Sequence, residues 1–140
     1  MSYLYLLDTN IISELIKNPR AIIFSKIKEV GEDKVCTSII VACELKFGAR
    51  KKKSQKLIEK LETILSKIKI LPLTDPVEEY YAEIRTYLES QGIPIGGNDL
   101  LIAAHALTLN LTVITANLSE FSRIPNLKVE NWLNPQGKLI

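Results

Sequence analysis

Apolar positions along this chain fall into short runs that alternate with helical stripes. Tyr3-Leu4-Tyr5-Leu6-Leu7 is a run that stops at Asp8, which suits a buried strand leading straight into a helix at Thr9-Asn10-Ile11. Ile11, Ile12 and Leu15 begin that helix, Asn18-Pro19 ends it, and a second amphipathic helix is expected from Arg20 to Val30, before Gly31. Val35-Cys36-Thr37 reads as a second strand, and Ser38 suits the N-cap of a helix from Ile39 to about Phe47, closed by Gly48. From Lys52 to Lys67 and on to Ile68, Leu57, Ile58, Leu61, Ile64 and Leu65 recur at intervals of three and four, the mark of an amphipathic helix. Ile70-Leu71-Pro72-Leu73 predicts an edge strand, because its proline cannot donate to a ladder. Asp75-Pro76 then opens a long helix running to Gln91, with aspartate as N-cap and proline at the first helical position. After a loop over Ile93 to Asn98 come a helix from Asp99 to Asn110, a strand at Thr112 to Thr115, a polar turn, and a last strand near Leu127-Lys128-Val129. Strands separated by helices, with no hairpin signal between them, call for an α/β domain over residues 1–140 whose parallel sheet is covered on both faces.

Composition adds exclusions. At 140 residues, 46% hydrophobic and 24% charged, the chain has enough apolar material for one packed core and is neither disordered nor of low complexity. Charged residues interrupt every apolar run before membrane-spanning length, and the N-terminal residues carry no signal-peptide pattern. Cys36 and Cys43 lack metal-ligand or disulfide spacing, so both are expected to be small buried residues in a cytoplasmic protein. The net charge of +2 hides a division: residues 46–69 hold nine bases against two acids, a local +7 that leaves −5 for the remainder. Such a basic segment is either a solvated helix face or a contact for a polyanion.

Three acids bear on chemistry. Asp8 stands where a strand gives way to a helix, at the sheet edge where open α/β folds collect ligands, and is equally placed to cap that helix. Glu44 lies on an apolar helical stripe with Ile40, Val41 and Gly48, where an ionised carboxylate is costly unless paired, and neither Lys46 nor Arg50 shares its face. Asp99 opens an almost wholly apolar helix, where it or Asn98 is a candidate cap. Inward-facing acids from three different elements suit a hard cation, magnesium or manganese, with oxygen ligands. His105 is the only histidine, which argues against zinc and against an imidazole base.

Taken in order, Leu7-Asp8-Thr9-Asn10, the stretch Cys43 to Ala49, Gly92 to Gly96 leading to Asp99 and on to Ala106, Thr115 to Phe121, and Val129 to Trp132 resemble a PIN-domain ribonuclease of the VapC toxin type over essentially the whole chain. The resemblance implies a three-layer α/β/α domain with a five-stranded parallel sheet, a magnesium- or manganese-dependent endoribonuclease acting on RNA such as tRNA, a cognate antitoxin and a homodimer. By position it makes Asp8, Glu44 and Asp99 catalytic and metal-binding, with Thr9, Asn10, Thr115 and Asn117 as supporting polar groups. The family's fourth acid, two residues beyond Thr115, is replaced by Asn117, and Glu120 stands nearby as a substitute. Three carboxylates carry −3, so one divalent cation leaves −1 and two give +1, and the site needs at least one before it can receive a phosphate. Lys51, Lys52, Lys53 and Lys56 are candidates for RNA phosphate contact, as is Arg85. Large apolar residues of the first helices, Ile11, Ile12, Leu15, Ile16, Ile22, Ile23, Ile27 and Ile39, supply either a deeper core or a groove for an antitoxin helix. The residues also admit two further readings: a degenerate PIN domain that binds RNA or protein without cleavage, and a metal-dependent phosphatase using Asp8 as nucleophile, although the second aspartate such an enzyme wants is here Asn10.

Overall fold

A computed structural model describes residues 2–133. Five strands, β1 (Tyr5–Leu7), β2 (Val35–Ser38), β3 (Lys69–Leu71), β4 (Thr112–Ile114) and β5 (Val129–Glu130), pair in parallel in the order β3-β2-β1-β4-β5. Seven helices connect them: α1 (Thr9–Lys17), α2 (Ile22–Val30), α3 (Ile39–Lys51), α4 (Gln55–Lys67), α5 (Val77–Ser90), α6 (Gly97–Leu109) and α7 (Leu118–Phe121). Adjacent strand residues point to opposite faces, yet Leu6 and Leu7, and Val113 and Ile114, are all fully buried. Helices therefore cover both faces of the sheet, giving the three layers expected. Trp132 seals one end, its ring 5.1 Å from that of Tyr5.

The strand order fixes the site. From β1 the chain steps to β2 and β3 on one side, while β4 and β5 lie on the other, so the order reverses between β1 and β4. At such a switch point the loops leaving neighbouring strands diverge and open a crevice at the carboxyl edge. Asp8 and Thr115 are the first residues beyond β1 and β4, and the Asp8 amide still donates to the Ile114 carbonyl at 2.9 Å.

Several local expectations give way to packing. Gly48 does not close α3, which continues to Lys51, because Leu45 and Ala49 bury the same face on either side of it. The chain turns instead at Lys53, which takes a left-handed conformation (φ 53°), and Ser54 caps α4 through its Oγ, which accepts from the Leu57 amide at 3.2 Å. The basic segment is thus the end of α3, an exposed turn and α4. Asp75 does not cap α5: Pro76 occupies the cap position after a cis peptide bond, with no side-chain cap. The turn after β4 contains the short helix α7, and β5 begins two residues later than expected. Cys36 is buried, which pushes its thiol up to about 12, but Cys43 is exposed on α3, contrary to expectation. Most of the N-terminal apolar residues serve the core, including Ile11, Ile12, Leu15, Ile16 and Ile23. Phe24 and Ile22 remain more than a third exposed, and Phe24 borders a groove of about 380 Å³ lined also by Leu15, Ile27, Ile64 and Ile68.

A Cβ added at Gly48 meets no atom within 4 Å. Gly48→Ala is therefore expected to raise stability by about 0.5–1 kcal/mol, the usual cost of a mid-helix glycine. A urea-unfolding midpoint that falls instead contradicts this account of α3.

Candidate active site

The site is built at the carboxyl ends of β1 and β4. Asp8 is 3% exposed, and both of its carboxylate oxygens accept hydrogen bonds. Oδ1 accepts from the Thr9 amide at 2.8 Å as the cap of α1, and Oδ2 accepts from the Thr115 hydroxyl at 2.8 Å and the Asn10 amide at 3.4 Å. Asp8 is thus both a helix cap and a site acid, one role on each oxygen. Burial raises its pKa, against the lowering effect of the Thr115 and Thr9 hydrogen bonds, and the charges of Glu44 and Glu120 raise it further. Asn10 also accepts from the Ala116 amide at 2.9 Å, and Thr115 Oγ1 accepts from the Asn117 amide at 2.9 Å, so α1 and the loop after β4 are laced together around Asp8.

Glu44 reaches the same crevice from α3. It is exposed on one side, and its oxygens accept from the Thr9 hydroxyl at 2.6 Å and the Asn98 amide at 3.2 Å. Lys46 and Arg50 do not pair with it, and no ion pair among the described residues involves a site acid. The sequence offers Asn98 only as a possible cap, but α6 begins earlier, with Gly96 at the cap position and no side-chain cap. That frees Asn98 for Glu44 and Asp99 for the crevice.

Asp99 meets Glu120, which α7 presents. Burial is the chief cause that lifts the Asp99 pKa to about 7, followed by the hydrogen bond it donates to Glu120 and by the charges of Glu120, Asp8 and Glu44. Burial acts to raise Glu120 too, but hydrogen bonds from Asp99, Asn117 and the Gly96 amide, together with the nearby charge of Arg123, outweigh it and hold its pKa below the ordinary value. The Asn117 amide donates to Glu120 at 2.7 Å and the Gly96 amide at 3.2 Å. Asn117 thus stands where the resembled family carries its fourth acid and holds Glu120, three residues on, in the cluster. The three-residue spacing of that pair is the only sequence signal for this.

Four acids from four elements therefore face one crevice, where the charges of Glu44 and Glu120 help to raise the pKa values of Asp8 and Asp99. As they stand, no three His, Cys, Asp or Glu side chains among the described residues close around one point. The donor chemistry nonetheless fits a hard divalent cation: oxygen ligands only, and no cation among the described residues bonded to them. His105 is absent from the crevice; it is fully buried, and its Nδ1 lies 2.8 Å from the Ser38 hydroxyl that caps α3. Lys51, Lys52 and Lys53 are exposed at the C-terminal end of α3, two turns beyond Glu44, as is Lys56 on α4, and Lys52 lines a cavity of about 250 Å³ that also contacts Thr9, Glu44 and Gly48. Arg85 is not brought to the acids; its guanidinium donates to Glu89 and to the Tyr81 hydroxyl, both at 2.8 Å.

Residues 5–127 match the PIN domain family model. Ribonuclease VapC2 of Rickettsia felis is 40% identical over 131 residues, covering 92% of this chain and 98% of that protein. The tRNA(fMet)-specific endonuclease VapC of Shigella flexneri is 33% identical over 129 residues, covering 91% and 97%. Among solved structures, VapBC2 of Rickettsia felis bound to a promoter DNA fragment superimposes with a TM-score of 0.86 at 39% identity, covering 92% of this chain and 98% of the matched one. The VapBC complex of Salmonella typhimurium bound to DNA gives 0.84 at 32% identity, covering 93% and 98%.

In metal-free protein the acid pair gives stability a signed pH dependence. Asp99 has a pKa of about 7 when folded against an ordinary carboxyl value of 3.8, so the folded state holds this proton more tightly. That contribution is present in full below pH of about 4 and is lost as pH rises to about 7. Glu120, with a depressed pKa, contributes in the opposite sense as pH falls below its ordinary range. In EDTA, the difference in melting temperature between Asp99→Asn and wild type is expected to grow in favour of the variant from about pH 5 to about pH 7. A difference that stays flat or shrinks across that window contradicts the shared-proton assignment.

Proposed function

The chain belongs to the PIN domain family, and on that premise we propose that it is a divalent-metal-dependent endoribonuclease of the VapC toxin type, restrained by a cognate antitoxin. The observation that carries the reading is the cluster of Asp8, Glu44, Asp99 and Glu120, four acids at the chain crossover with no cation among the described residues bonded to them. Its support from relatives lies in their names, ribonuclease and endonuclease, over more than nine-tenths of this chain.

Asp8, Asp99, Glu44 and Glu120 would hold magnesium or manganese, which when bound supplies compensating charge, polarises a phosphoryl oxygen and lowers the pKa of a water. The chain's own residues prepare that site. Thr115 and Asn10 fix the Asp8 carboxylate with neutral donors, so its charge is oriented without being cancelled. Thr9 and Asn98 do the same for Glu44. Asn117 anchors Glu120 beside Asp99, replacing a fourth acid on the loop by one on α7. Asp99 would give up its proton on loading of the site, a loss that its pKa of about 7 keeps small at neutral pH. In-line attack by water on the phosphodiester would leave a 5′-phosphate and a 3′-hydroxyl. Asn10 is committed to Asp8 and the Ala116 amide, which disfavours the phosphatase alternative in which a second acid is wanted at that position.

The substrate class proposed is a structured RNA such as tRNA, in keeping with the name of the Shigella flexneri relative. The antitoxin is assigned to the apolar groove between Phe24 and Ile68, as a helix laid against α1, α2 and α4. No helix among the described residues is long and apolar enough to cross a membrane, and the cytoplasm, where RNA and antitoxin meet, is the proposed location. A homodimer is proposed from family likeness.

The test is cleavage of cellular RNA by the purified chain. Cleavage is expected with Mg²⁺ or Mn²⁺, to vanish in EDTA, and to fall at least about 100-fold in Asp8→Asn and Asp99→Asn, the scale on which one lost electrostatic group slows a reaction. Cleavage that persists in EDTA or in either variant overturns the metal reading, and binding without cleavage by wild type favours a degenerate domain. Replacing Lys51, Lys52 and Lys53 by glutamine is expected to weaken RNA binding at low salt and to flatten its salt dependence by up to about three phosphate contacts. Unchanged affinity at low salt removes these lysines from the RNA path.

A further inference from the structure

Phe47 is the large apolar side chain most out of place on this surface. It is 67% exposed, more than any other large hydrophobic residue among those described. Its position gives that exposure meaning. On α3 it lies three residues beyond Glu44, about 4.5 Å along the axis, and Lys51 follows four residues later on the same stripe. Between them Gly48 carries no side chain, and the helix there borders the cavity that reaches back to Thr9 and Glu44. The Lys51 ammonium sits 5.9 Å from the centroid of the Phe47 ring, so one ring face carries a cation while most of the side chain remains open to solvent.

Resting on the ribonuclease reading above, we propose that Phe47 is a stacking platform for a nucleobase adjacent to the scissile phosphate, with Lys51 contacting the phosphate that follows. An aromatic face beside a basic stretch is how sequence-tolerant single-stranded binding is built, because every base offers a π-face and every nucleotide a negative charge. Charge selects RNA over other occupants here. The exposed residues just beyond Phe47 on α3 and in the following turn, Arg50, Lys51, Lys52 and Lys53, are uniformly basic, which suits a polyanion and opposes a second copy of the same basic surface. The stripe also begins at a site acid, so a strand lying along it would end at Glu44. Phe47 would position RNA for cleavage without touching the reacting atoms.

The test uses the full chain with Ca²⁺, a single-stranded oligoadenylate, and an abasic ribose-phosphate oligomer of equal length. Wild type is expected to bind oligoadenylate more tightly than the abasic oligomer. Phe47→Ala is expected to lose about 5- to 20-fold in affinity for oligoadenylate only, the low end of what a base–aromatic stack contributes, while Phe47→Tyr retains it. In Phe47→Trp, the new indole is expected to be quenched by oligoadenylate and not by the abasic oligomer. Unchanged melting temperatures establish that the variants fold. Equal binding of both oligomers by wild type, or wild-type affinity in Phe47→Ala, overturns the platform while leaving cleavage intact. A Phe47→Ala protein that turns from dimer to monomer in sedimentation, with unchanged RNA affinity, assigns the ring to a self-interface and equally overturns it. A wild type that binds neither oligomer and cuts no RNA overturns the ribonuclease reading beneath.

Discussion

Four carboxylates crowd the carboxyl edge of one small parallel sheet, and no cationic side chain among the described residues is bonded to them. The local structure must accommodate both their burial and their repulsion. Burial first, then the hydrogen bond to Glu120 and the neighbouring charges, lifts Asp99 to about 7. The remaining charge is dispersed over hydroxyl and amide donors, Thr115, Asn10, Thr9, Asn98 and Asn117, which stabilise carboxylates without neutralising them. A purely structural set of buried acids is normally paired with lysine or arginine. The absence of such pairs at the site among the described residues, in a chain with 18 basic residues, is what makes a mobile external cation the natural counterion.

The fold supplies the crowding. Strand order 3-2-1-4-5 reverses at β1/β4, so Asp8 and Thr115 emerge side by side while the helices that follow diverge. α3 and α6 then bring Glu44 and Asp99 from either side, and α7 carries Glu120 back towards Asp99. The basic turn after α3 lies at the outer end of the same helix that bears Glu44. The near-neutral net charge thus divides into an acidic crevice and a basic approach on one element, an arrangement that draws a polyanion in and requires metal to hold it there.

Much of this is legible in the chain. The run Tyr3 to Leu7 is apolar without interruption and ends abruptly on a charge at Asp8, as a strand buried on both faces must where it leaves the sheet. Glu44 is conspicuous because a charge on an apolar helical stripe violates the amphipathic rule, and Asp99 because it heads a helix with almost no other polar face. What escapes the sequence shares one cause: signals local to a few residues are overruled by contacts distant along the chain. Gly48 is a common helix stop, but packing of Leu45 and Ala49 carries α3 through it. Asp75-Pro76 has the composition of a helix cap and does not form one. Glu120 cannot be placed from sequence because α7 has four residues, too few to show any periodicity, and its direction is fixed by hydrogen bonds from Asn117 and Gly96. Cys43 has apolar neighbours in sequence, yet the helix turns it to solvent.

The central claim, that the crowded acids are a cation site, is tested most directly by anomalous scattering from crystals of the chain grown with Mn²⁺ near pH 7. The account predicts a peak bounded by Asp8 and Asp99, with Glu120 released from its shared proton, and no peak in crystals of Asp8→Asn. Density without an ion between those acids, with Asp99 still paired to Glu120 at saturating Mn²⁺, contradicts it.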